Sequence, residues 1–172
     1  FLQASMTAVC VMQNVLAFLF CWEIMTVACF LLVTYEHEKR QTLRAGINYF
    51  IQSHICVLLL ITGFIWVSGT AGSMDMRQIM EHARAHSATI SPWPFIILFT
   101  GFAFKAGFVP LHTWLPWAHP AAPAHVSGVM SGVIIKMGIF GIFRVLPLCQ
   151  GNVLAMGRLI LILSTATALY GV

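Results

Sequence analysis

Residues 1–35 contain a single charged side chain, Glu23. As one helix that stretch is ~52 Å long at 1.5 Å per residue, whereas the hydrocarbon core of a bilayer is about 30 Å thick. A segment this apolar belongs in lipid, and it is too long to cross only once, so it must break. Gln13-Asn14 is the polar pair at which to break it. Further apolar runs follow, giving roughly 1–12, 15–35, 45–67, 93–109, 122–145 and 153–172. The interior ones match the ~17–25 residues of a spanning helix. Charged residues make up 8% of the 172, against roughly 25% in soluble domains. The expected fold is therefore all-α: a polytopic transmembrane bundle of about six helices, with the terminal ones truncated, one broken helix and a short surface amphipathic helix. Both ends lie inside apolar runs, so residues 1–172 read as one partial domain of a larger membrane subunit.

The connections carry most of the polarity. EHEKRQTLR at 36–44 has the densest charge and reads as an aqueous loop. In the longer connection, 68–92, Asp75 is placed to cap a short helix with Gln78 three residues on. Met76, Ile79, Met80 and Ala83 recur there at i, i+3, i+4, i+7, leaving Arg77, Glu81 and Arg84 as a solvated face. Pro110 is expected to end the run 93–109, and Pro116, Pro120 and Pro123 to keep 110–123 irregular or in short turns. Trp66, Trp114 and Trp117 suit interfacial positions. In 122–145, Gly128-x-x-x-Gly132, Gly138 and Gly141 predict close helix contact, with the helix packed tightly around its own lysine. Lys39, Arg40 and Arg44 balance Arg77, Arg84 and Arg144 on the opposite side, so the charge distribution does not fix the orientation. The five cysteines form no C-x-x-C pair and read as packing residues. No basic patch with interleaved aromatics points to nucleic acid.

Three ionisable residues lie inside apolar runs away from obvious ends: Glu23, Lys105 and Lys136. Lys136 is nine residues before Val145 and fourteen after Ala122, roughly 13–21 Å from either end at helical rise. A charge at the centre of a membrane helix costs about 2.5–3.5 kcal/mol, so its presence points to a use. Burial disfavours the charged form of each residue alone, whereas a Glu and a Lys together both stay charged. Moving a proton onto one, or separating the two, changes the proton affinity of the other, which is the elementary step of a proton relay. For Lys105 the alternative is snorkelling to the interface beside Pro110; for Glu23 it is a structural hydrogen bond to a neighbouring helix. His54 is an intramembrane imidazole able to extend such a relay. His112 is a second accessory position, able to pass protons between water and Lys105. His112, His119 and His125 lack the i, i+4 spacing of a helical zinc site. A haem reading needs two facing histidines within spans, and only His54 is well placed.

The segment FKAGFVPLHTWLPWAHPAAPAHVSGVMSGVIIKMGIF, with Lys105, the P-L-H-T-W-L-P run at 110–116, Ala122-Pro123 and Lys136, resembles the signature core of antiporter-like membrane subunits. These are shared by respiratory complex I, Mrp-type cation/proton antiporters and energy-converting hydrogenases. Trp22-Glu23 is similar to the opening of that family's glutamate-bearing helix. The resemblance implies that Glu23, Lys105 and Lys136 form half of a proton channel, in which Glu23 and Lys105 make a switchable ion pair and Lys136 receives the proton when it opens. Trp117 stands where complex I subunits commonly carry an acidic residue just after W-L-P. This departure, with His119 and His54, favours the formate hydrogenlyase and hydrogenase-4 type, component B, over NADH:quinone oxidoreductase.

The resemblance further implies an integral protein of the bacterial inner membrane, a subunit of an oxidoreductase complex with no redox active site and no cofactor of its own. Nickel-iron and iron-sulfur centres are expected in a peripheral redox arm, with other membrane subunits and the lipid bilayer as further partners and protons as the transported ion. The alternatives are a Na⁺/H⁺ antiporter subunit and a structural membrane anchor. The sodium reading is weakened because only Thr26 supplies an oxygen one turn from Glu23.

Overall fold

The computed structural model describes residues 1–87 and 91–171; positions 88–90 of the 68–92 connection and Val172 of the last apolar run lie outside the described residues. The break at Gln13-Asn14 forms as expected between α1 (Leu2–Val11) and α2 (Val15–Val33). Asn14 caps α2, its Oδ1 accepting from the Leu16 and Ala17 amides at 3.0 and 3.2 Å, which satisfies two of the helix's orphan donors. After the charged loop comes α3 (Arg40–Ala71), longer at both ends than the 45–67 run. Its first turn projects Gln41 and Arg44 outward while Thr42 and Ala45 are buried, so the helix continues amphipathically into the segment expected to be loop. Gly72, in the left-handed region at φ 67°, terminates it.

The short helix expected from Asp75 is α4 (Met76–Ala85). Asp75 Oδ1 accepts from the Arg77 and Gln78 amides, the four apolar positions are buried, and Arg77, Glu81 and Arg84 are exposed. The segments preceding α2 and α4 pair with each other: the Val15 amide donates to Met74 O at 2.9 Å and the Met76 amide to Gln13 O at 2.8 Å. Arg144 completes this knot from a distant helix. Its guanidinium donates to Val9 O at 3.2 Å, to Met12 O and to Gln13 Oε1 at 3.0 Å, serving carbonyls that the end of α1 leaves free.

α5 (Trp93–Ala106) ends earlier than Pro110 requires. The terminator is Gly107 at φ 73°, a conformation that needs no Cβ. Between α5 and the next span lies α6 (Leu115–Ala121), with Pro116 in its first turn and Pro120 inside it. The final runs are α7 (Ala124–Val129), which passes through a π-helical stretch at Met130–Ile134 into α8 (Ile135–Val145), and α9 (Val153–Gly171). Among the described residues, four segments are long and apolar enough to cross a membrane, Val15–Val33, Arg40–Ala71, Ala124–Cys149 and Val153–Gly171, with Leu2–Val11 and Trp93–Ala106 as shorter apolar helices.

The core sits where α2, α3 and α5 cross. Phe18, Trp22, Phe64 and Phe102 are fully buried there, with ring centroids 5.3–6.4 Å apart, mostly edge to face. α8 reaches this core through its glycines. A Cβ on Gly138 would lie 2.5 Å from Ala106 N and 2.8 Å from Phe102 O, and one on Gly141 would meet the Phe102 ring at 2.3 Å. Gly128 and Gly132 behave differently from the expectation: nothing lies within 4 Å of where their Cβ atoms would be. They face outward from the described residues while the other pair forms the α5–α8 contact.

Candidate functional site

The break after Gly107 brings Lys105 to the centre of the structure, and its side chain is only 1% exposed. Snorkelling is thereby excluded. The ammonium instead donates to three neutral oxygens: Tyr49 Oη at 2.6 Å, Thr26 Oγ1 at 3.3 Å and Ser53 Oγ at 3.4 Å. Three donors thus meet three hydroxyl acceptors contributed by α2 and α3. Nζ also lies 4.6 Å from the centroid of the Tyr49 ring. Tyr49 and Ser53 escaped the sequence reading. Their signal is two hydroxyls at i, i+4 in an otherwise apolar span, opposite in phase to the more conspicuous His54. Thr26, read as a neighbour of Glu23, is committed to the lysine.

Trp114 is the second departure. It is 2% exposed, not interfacial, because the end of α5 frees the Phe104 carbonyl and the indole Nε1–H donates to it at 2.8 Å. Its ring packs against Tyr49 with centroids 5.2 Å apart, closing the cage around the lysine. Trp117 and Trp66 are exposed, as an interfacial position requires.

Glu23 and Lys105 are not an ion pair among the described residues. The partner of Glu23 is His54, with Nε2 3.8 Å from Oε2; the His54 side chain is 43% exposed and that of Glu23 31%. Lys136 departs furthest from expectation. It is exposed on the outer side of α8, not wrapped by its own helix, and Nζ donates to Ser131 O at 2.6 Å. The residues that face outward with it are Gly132, Val133 and Ile139, so the described residues offer it no close cover. His112 packs edge-on against Tyr170 of α9 at 4.9 Å, and the Val109 amide donates to Thr167 Oγ1 at 3.1 Å; together these hold the 107–114 loop to α9. His119 pairs with Ser127 Oγ at 2.6 Å, and His125 is exposed.

Polar residues also line a cleft at the start of α3, the helix that carries Tyr49 and Ser53. The cleft, of about 650 Å³, opens among Glu36, Lys39, Thr42, Ala45, Pro116 and Trp117. Thr42, Ala45, Tyr49 and Ser53 are all buried on one face of α3, so Tyr49 lies one turn inward from the wall of the cleft. Beside it, Gln52 Nε2 donates to Asn48 Oδ1 at 2.9 Å and Thr113 Oγ1 donates to Gln52 Oε1 at 3.0 Å.

Fold and site together define a helical integral membrane protein built around one fully buried, hydroxyl-caged lysine. Residues 12–172 match the family described as NADH:quinone oxidoreductase/Mrp antiporter, transmembrane, and the chain belongs to it. Hydrogenase-4 component B of Escherichia coli (strain K12) is 38% identical over 172 residues, covering 98% of this chain and 25% of the relative. NADH-ubiquinone oxidoreductase chain 4 of Arabidopsis thaliana is 25% identical over 96% of this chain and 33% of its own length. The fold is that of a chain in the membrane-bound sulfane sulfur reductase, an archaeal respiratory membrane complex, with a TM-score of 0.84 at 18% identity over 96% of this chain and 34% of that one. The chain thus spans between a quarter and a third of the length of these relatives.

Proposed function

We propose that this chain is part of a proton-translocating membrane subunit of a multi-subunit redox complex, of the hydrogenase-4 or formate hydrogenlyase type, in a bacterial inner membrane. The observation that carries this reading is the Lys105 cage. A buried ammonium held by neutral hydroxyls has its hydrogen bonds satisfied but no counter-ion in contact, so its proton affinity responds to charge changes nearby. Glu23 acts on it through space. Protons reach Lys105 from the cleft along the Thr42, Tyr49 and Ser53 face and move on toward Lys136, with His54 and His112 as accessory groups. The chain itself supplies no redox centre. Nickel-iron and iron-sulfur chemistry belongs to a peripheral arm docked through other membrane subunits, and the 38% identity to hydrogenase-4 component B supports that assignment over a complex I subunit.

The sodium reading needs several oxygen ligands at Glu23. The hydroxyl available to it, Thr26, is instead an acceptor for Lys105, which favours protons. The test is redox-driven proton uptake into vesicles carrying the intact complex, wild type against Lys105→Met, at equal assembly. Uptake is expected to collapse. Unchanged uptake with normal assembly would return the charges to a purely structural role and support the anchor reading.

A further inference from the structure

His54 sits near the middle of α3, and its ring is held in a defined orientation. Nδ1 lies 2.9 Å from the Phe50 carbonyl, and the ring packs on that of Phe50 with centroids 4.1 Å apart. A carbonyl oxygen only accepts, so Nδ1 must carry the hydrogen. In a neutral imidazole that leaves Nε2 as a bare lone pair, and Nε2 is the atom facing Glu23 Oε2 at 3.8 Å. Lone pair against carboxylate is repulsive. One added proton, on either the nitrogen or the oxygen, makes the contact attractive.

We propose that His54 and Glu23 together form a single-proton site, and that loading this site switches the charge presented to Lys105. Resting on the proton-relay reading above, the proposal deepens it. With its proton the pair is electrically neutral, as imidazolium and carboxylate or as imidazole and carboxylic acid. Without it the pair carries one negative charge. The proton is exchanged with the relay described above, and no bond other than N–H or O–H forms or breaks.

The surroundings favour control by this one proton. Glu23 is nine residues into α2 from its Asn14 cap, roughly 13 Å by helical rise, so the pair lies at mid-span. One turn after Glu23 on α2 is Thr26, whose hydroxyl accepts from Lys105 at 3.3 Å, so the pair sits next to the cage and its charge is felt by Lys105 of α5 and by Cys56 of α3. α1, packed on α2, has no charged residue. The groove running from Glu23 toward the Asn14 end is lined by Val15, Leu19, Val57 and Ile61, which offer no competing partner for the carboxylate. Among the described residues the hydrogen bonds of Lys105 go to neutral oxygens, so the change between zero and one negative charge is not masked by an anion bonded to it.

The experiment is pH-titrated infrared difference spectroscopy of the intact complex in lipid, following the Glu23 carboxyl band, assigned with Glu23→Gln, and the imidazole bands of His54 under isotope labelling. In wild type the two sets of bands are expected to change over one common pH interval. In His54→Asn, which keeps a donor near the Phe50 carbonyl, and in His54→Gln, the Glu23 band should move its midpoint by about one pH unit, the coupling at which two groups titrate as a pair. Coupling is reciprocal, so Glu23→Gln should move the His54 bands comparably, which keeps the test open if the His54 variants assemble poorly. Bands that titrate independently, and stay in place in the variants, overturn the shared proton. Proton uptake by Glu23→Gln separates this from the relay itself. If uptake persists alongside coupled bands, the relay reading fails and the shared proton stands. If uptake is lost while the bands are uncoupled, only the shared proton fails.

Discussion

At the residue scale, the decisive contact is the 2.6 Å hydrogen bond from Lys105 to Tyr49. Hydrogen bonds to a charged group contribute about 1.5–3 kcal/mol, which is tenfold or more in an equilibrium governing the charge of the lysine. Tyr49→Phe removes that acceptor and leaves Ser53 and Thr26 in place, while the ring keeps its packing on Trp114. The variant is expected to assemble normally and to take up protons about tenfold more slowly, measured as the initial rate in vesicles. A wild-type rate would show that the cage merely fills space. The lysine itself was visible in the sequence because a charge inside an apolar run is conspicuous. Its hydroxyl partners were not, since they come from 79, 56 and 52 positions away and serine, threonine and tyrosine are common in helices for many reasons.

At the scale of elements, two devices hold the helices that carry charge. The first is the α5–α8 contact at Gly138, where a side chain would run into the backbone of Ala106. Gly138→Leu therefore forces the helices apart rather than repacking a side chain. It is expected to cost at least the about 1–3 kcal/mol typical of overpacking, read as a lower melting temperature or loss of the assembled complex. The second is Arg144, which ties α8 to the break between α1 and α2. Arg144→Gln leaves carbonyls of α1 without their donor and is expected to destabilise by about 1–3 kcal/mol. Arg144→Lys should rescue poorly, because three oxygens are served by a planar fork that an ammonium does not reproduce. Both measurements are thermal or denaturant unfolding of the purified complex. In sequence Arg144 looked like an end-of-helix charge weighing on orientation, and nothing local revealed that its partners lie 131–135 residues earlier.

At the scale of the whole molecule, the two lysines have opposite settings. Lys105 is enclosed by α2, α3 and α5, whereas Lys136 stands on the outer face of α8, hydrogen-bonded to a carbonyl of its own π-helical stretch. Lys136→Met is expected to leave the melting behaviour of the complex nearly unchanged, within the ±0.5 kcal/mol usual for exposed sites, and yet to abolish redox-driven proton uptake. Unchanged uptake would remove Lys136 from the path while leaving the Lys105 cage intact.

The sequence by itself determined that the chain lives in lipid, that its first apolar stretch breaks at Gln13-Asn14 and which residues carry charge into the apolar layer. These follow from one-dimensional quantities: run length against bilayer thickness, Asn14 and Asp75 ahead of apolar runs, and ionisable residues far from any polar neighbour. It also placed the α4 face correctly, because a helical period is local. The tertiary structure decided which charge meets which partner. Glu23 turned to His54 rather than Lys105, Lys105 took three hydroxyls, Trp114 went inward to a carbonyl freed by the end of α5, and Gly138 and Gly141, not Gly128 and Gly132, became the contact. Each of these depends on the rotation of one helix about its axis relative to another, and in helices apolar on nearly every side that rotation is fixed only by packing between segments distant in the chain.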